Sequence, residues 1–139
     1  MEAPHSPGHA RQRLKQLRDA VLVLHKAILD SERTAYELVH GRVASPGAFL
    51  QLLINDSWFA WLKPITTLIV QMDETLAAKK PPATDHDFEQ LIGDTRALLS
   101  PSREATDFWG RYAIAVQRDP GVAVLHEKVQ NSFGETDHL

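Results

Sequence analysis

The residues best placed to do chemistry fall in the stretch 49–76, FLQLLINDSWFAWLKPITTLIVQMDETL. Asp56 lies one helical turn after Leu52 and Leu53 and one turn before Phe59 and Ala60, on or beside an apolar face. A carboxylate in that position needs a hydrogen-bonding partner or a raised pKa, because burial disfavours the charged form. Two roles are open to it: a structural hydrogen bond across the helices, or a general acid or base in a pocket opened near Pro64. Trp58, Trp61 and Lys63 sit partly off the main apolar stripe, and the two tryptophans are either central core or an exposed aromatic patch. Asp56, Trp58, Trp61 and Lys63 are therefore the candidate ligand-binding residues. Nothing nearby completes a catalytic set, so no catalytic residue is assigned.

Other reactive types are scattered. Seven histidines are spread over separate segments, and the HExxH pattern is absent. Glu37-x-x-His40 matches half of the pair of elements that a carboxylate-bridged dimetal bundle requires. No second copy exists, so no metal site is expected. Cysteine is absent, which excludes disulfides and thiolate chemistry. No phosphate-binding glycine loop or nucleophile elbow is present, so no cofactor is expected. A net charge of −3 argues against a nucleic-acid-binding face. Arg11, Lys15 and Arg18 oppose the dipole at the start of one helix, and Asp73 and Glu74 oppose it at the end of the next. Cross-helix ion pairing between these clusters is the economical expectation, with a basic binding patch as the alternative.

The elements that position these groups read as helices throughout. Leu14, Leu17, Val21, Leu24, Ile28, Ser31, Ala35 and Leu38 form one stripe of a helix over 9–40, ended by Gly41. Ser45-Pro46 is a cap followed by a proline at the first helical position. It predicts a second long helix over 46–79, kinked at Pro64. Lys79-Lys80-Pro81-Pro82 punctuates the chain, and Thr84 with Asp87 opens a third helix over 85–99. Ser100-Pro101 and Asp119-Pro120 open helices over 101–118 and 120–133. No segment alternates with period two. The expectation is an all-α, antiparallel up-and-down bundle. It forms one domain over 9–134, between a flexible N-terminus (1–8) and a frayed tail (135–139).

The segments 57–64 and 71–74, SWFAWLKP and QMDE, resemble uncharacterised bacterial helical proteins, and that resemblance implies no activity. The N-terminal residues lack the apolar region of a secretory signal, and no apolar run approaches the roughly 20 residues that span a bilayer. A soluble, cytoplasmic protein is expected. The two long helices outreach the shorter ones laid on them, and uncovered apolar surface favours a two-fold homodimer. Leu14, Leu17, Val21 and Leu24 are the interface candidates. The function expected is a non-enzymatic protein-interaction or oligomerisation module acting on itself or another protein. The alternative is a small-ligand-binding or hydrolytic bundle with a pocket near Asp56, Trp58, Trp61 and Pro64.

Overall fold

Helix α1 (His9–His40) is the central element, and its apolar stripe decides the packing. Leu14, Leu17, Val21, Leu24 and Ile28 are all buried. The computed structural model describes residues 8–101 and 107–137. Six α-helices follow one another in it: α1, α2 (Pro46–Asn55), α3 (Lys63–Ala77), α4 (Asp85–Leu98), α5 (Asp107–Arg118) and α6 (Pro120–Asp137). A 3-10 segment (Ser57–Leu62) joins α2 to α3. There is no strand among the described residues; one isolated bridge links Lys79 and Pro82. No described helix is long and apolar enough to cross a membrane.

Three cross-links fix the direction of α3 and of the 3-10 segment before it against α1. Arg18 pairs with Asp73 at 2.7 Å, His25 with Thr66 at 3.1 Å, and Glu32 with Trp61 at 3.3 Å. As one number rises the other falls, so both run antiparallel to α1. Arg11 adds a bond of 2.7 Å to the Leu76 carbonyl near the end of α3. The expected ion pairing thus exists at Arg18 and Asp73, while Arg11 satisfies a helix-end carbonyl instead. Helices α4, α5 and α6 also pack on α1. Their buried residues include Phe88, Leu91, Ile92, Phe108, Tyr112, Val122, Val129 and Phe133.

The ends of the helices follow local chemistry. Gly41 has φ of 92° and donates its N–H to the Glu37 carbonyl, a backbone shape that favours glycine. Ser45 accepts from the Ala48 N–H, and Thr84 and Asp87 form a full capping box. The end of the last helix differs from expectation. Helix α6 continues through Gly134 to Asp137, because glycine inside a helix lowers its stability by about 1 kcal/mol without ending it. The tail expected to fray from 135 is therefore helical to 137. The start of the helix expected over 101–118 falls partly on 102–106, outside the described residues, as do 1–7 and 138–139.

The second long helix is divided. Helix α2 ends at Asn55, and Asp56 is extended, with φ −90° and ψ 134°. The chain then winds as a 3-10 segment up to Pro64, the second residue of α3. An α-helix would have the residue 64 N–H donate to the Ala60 carbonyl, and proline has none. The Lys63 N–H donates to Ala60 instead, three residues on, which is the 3-10 pattern. The effect of Pro64 is spread upstream as tighter winding, and the sharp change of direction lies at Asp56.

Candidate functional site

The break exposes one side of the 3-10 segment and buries the other. Asp56 Oδ1 accepts the Trp58 N–H at 2.8 Å and so caps the segment. Phe59, Trp61 and Leu62 turn into the core. Trp58 stays half-buried, edge-on to Tyr36 at 5.5 Å and to His40 at 5.7 Å between ring centres.

Behind the segment lies a buried polar knot. Glu32 is 6% exposed, and its carboxylate accepts from Trp61 Nε1 at 3.3 Å and from Arg118 at 2.7 Å. Arg118 also donates to Ser31 Oγ at 2.9 Å. A carboxylate held away from water needs such charge-assisted partners. These bonds tie the C-terminal end of α5 to the middle of α1, at the point where the apolar stripe gives way to Ser31.

Two clefts adjoin beside the segment. One, of about 670 Å³, is walled by Glu32, His40, Asp56, Trp58, Ile114 and Arg118. The other, of about 700 Å³, is walled by Ala60, Trp61, Pro64, Leu98, Phe108 and Trp109, with Asp94 and Ala97 at its edge. Ser57 and Arg111 line both clefts, so the two meet there. Each volume suits a small molecule. The chain has three tryptophans, and all three line this groove.

Helix α5 supplies one wall through its spacing. Arg111, Ile114 and Arg118 recur at three and four residues and share a face. Phe108, Tyr112 and Ala115 occupy the other face and are buried. Arg118 is committed to Glu32 and Ser31. Arg111 forms no hydrogen bond or ion pair with any described residue. Tyr112 stacks on Phe108 at 5.4 Å, and its Oη lies 2.6 Å from His126 Nδ1. Burial pushes the Tyr112 hydroxyl up and the His126 ring down from their ordinary pKa values, the latter partly offset by Glu127. Both therefore stay neutral near neutral pH, and the pair braces α5 against α6.

Of the residues singled out in the sequence, Asp56 and Trp58 wall the first cleft, and Trp61 and Pro64 the second. Lys63 lies outside both, along a shallow groove with Thr67, Gln71 and Asp94. Leu14, Leu17, Val21 and Leu24 are covered by the chain's own helices, so any contact with a second copy lies elsewhere on the fold. Glu37 and His40 serve structure: Glu37 accepts the Val43 N–H at 2.8 Å, and His40 packs on Tyr36 at 4.5 Å. Among the described residues, no group of three or more histidine, aspartate or glutamate side chains could hold a metal ion. Sequence reasoning missed Glu32, Arg111 and Arg118. The spacing of Arg111 and Arg118 around Ile114 was the signal available.

No family model matches the chain, and no curated protein or solved structure matches it either.

Proposed function

We propose that this chain is a non-enzymatic binding module whose ligand lies in the groove along the 3-10 segment. The observation that carries this reading is the lining of the two adjoining clefts by Trp58, Trp61, Trp109 and Arg111, which has no partner among the described residues. Tryptophan and arginine dominate the energetics of many binding surfaces. The two carboxylates nearest the tryptophans are already occupied. Glu32 is paired with Arg118, and Asp56 caps the 3-10 segment. Neither is left as a free base opposite a nucleophile.

A thermal-shift screen of small metabolites tests the reading. A true ligand raises the melting temperature and alters tryptophan emission. Both effects disappear in Ala97→Trp, which fills the cleft from its exposed edge. A panel with no such compound, or a response undiminished in Ala97→Trp, would sink the proposal.

A second observation favours self-association. Helix α2 holds Phe49, Leu50, Leu52, Leu53 and Ile54, yet none of its residues is buried. Leu50 and Ile54, one turn apart, are 54% and 59% exposed. At the end of α1, Leu38 is 84% and Val39 66% exposed. The occupant proposed is a second copy that lays its α2 against this one about a two-fold axis. Light scattering at micromolar concentration gives twice 15.6 kDa if this is right. Leu50→Glu with Ile54→Glu then returns the monomer mass with helicity intact. A wild-type mass of one chain rejects the dimer.

A further inference from the structure

We infer that the groove takes a small monocarboxylate with an apolar aromatic body, its carboxylate held at Arg111 and Ser57. This inference rests on the groove reading above and names the class of ligand.

The two parts of such a molecule match two parts of the groove. Ser57 and Arg111 both line the two clefts where they adjoin, one bringing a hydroxyl and the other a guanidinium to that junction. A guanidinium presents parallel N–H donors that fit a carboxylate edge to edge. From that junction the larger cleft runs between Trp61 and Trp109, with Phe108, Leu98 and Pro64 completing the wall. Trp61 is 7% exposed and held by its bond to Glu32, so this wall is fixed before a ligand arrives. Aromatic walls of this kind favour a flat apolar body. Ala60 and Ala97 line the same cleft and leave the room that longer side chains would take.

The charge count favours a monoanion over a dianion. Arg118 is neutralised by Glu32, which leaves Arg111 as the free cation of the groove among the described residues. Asp56 walls the smaller cleft and Asp94 the larger, where Asp94 accepts from Gln90 at 3.1 Å. Beside Asp56 and Asp94, a phosphate dianion at Arg111 would add two negative charges against its single positive one, whereas a carboxylate adds one. A single carboxylate balances Arg111 and leaves an uncharged body for the tryptophans.

Phenylbutyrate and its alcohol, phenylbutanol, are the probes, titrated by calorimetry and by tryptophan emission against the full chain. Phenylbutyrate binds saturably and about tenfold more tightly than phenylbutanol, the advantage of one charge-assisted contact. Arg111→Gln, an exposed substitution checked by circular dichroism, removes that advantage, so that the acid binds no more tightly than the alcohol does to the same variant. Equal affinity of the two probes for the wild type overturns the carboxylate assignment while the groove reading stands. If the acid's advantage persists in Arg111→Gln, the head group sits elsewhere and the assignment also falls. No saturable response to either probe overturns both the inference and the groove reading.

Discussion

Arg118 reaches Glu32 across 86 positions of sequence, with 2.7 Å between the guanidinium nitrogen and the carboxylate oxygen. The contact closes the bundle where the apolar stripe of α1 runs out. Trp61 shares the same carboxylate, so α1, the 3-10 segment and α5 meet on one side chain. Removing that carboxylate should loosen all three. Glu32→Ala should cost about 2–3 kcal/mol of stability, less than the roughly 3–5 kcal/mol of breaking a fully buried pair, because Arg118 is partly exposed and can rehydrate. The midpoint of urea unfolding measures it. The Trp61 emission should change in the same variant, since its N–H loses its partner.

The leucines of the α1 stripe provide the opposite kind of test. Leu17 and Leu24 lie in the core of the single chain. Leu24→Ala should cost about 2–5 kcal/mol through lost contacts and the cavity left behind. Leu17→Glu or Leu24→Glu should abolish the cooperative transition, visible as lost helical signal in circular dichroism. Dissociation with the helices retained would instead place these side chains at a surface between copies.

Much of the fold was legible because helix ends are local chemistry. Ser45-Pro46, Thr84 with Asp87, and Gly41 each mark a boundary that the structure keeps. The apolar spacing of α1 named its buried face down to Ile28. Asp56 and the two tryptophans beside it were legible as a polar break in an apolar run. The 3-10 winding was not, since buried apolar residues continue through it at Phe59, Leu62 and Ile65 and their presence does not reveal which carbonyl each N–H finds. Pro64 was visible, but its consequence at Ala60 depends on the Lys63 N–H taking over. Glu32, Arg111 and Arg118 acquire their roles from helices far apart in sequence, which spacing within one helix cannot show.

Acid should weaken the fold through two histidines. Burial lowers the His25 ring below its ordinary pKa of 6.5, and burial lowers His126 in the same way with Glu127 opposing. Their folded values lie below the unfolded ones, so the unfolded chain takes up protons first. The stability they contribute is complete above pH 6.5 and is lost as pH falls from there through the folded pKa values. Ring titration followed by NMR should place both midpoints below 6.5. His25→Gln with His126→Gln should flatten the fall in stability over that window. An unchanged slope would assign the acid sensitivity to other groups.

The break between α2 and α3 can be taken apart one cause at a time. Asp56 caps the 3-10 segment through the Trp58 N–H, so Asp56→Ala should cost about 1 kcal/mol, as loss of a helix cap does. Pro64 stands at the second position of α3, where its missing N–H would have had no partner within that helix. Pro64→Ala should therefore change stability by less than about 1 kcal/mol, against the roughly 3 kcal/mol expected of a proline inside a helix. It does, however, return the N–H that the Ala60 carbonyl lacks in an α-helix. Combined with Asp56→Ala, it should let α2 and α3 fuse, which would raise the helical signal in circular dichroism and pull Trp61 away from Glu32. The groove would then lose its fixed tryptophan wall, and binding of any groove ligand should weaken in the double variant more than in either single one. A double variant with unchanged helicity would show that packing of Phe59 and Trp61, not Pro64 and the Asp56 cap, holds the segment in its 3-10 form.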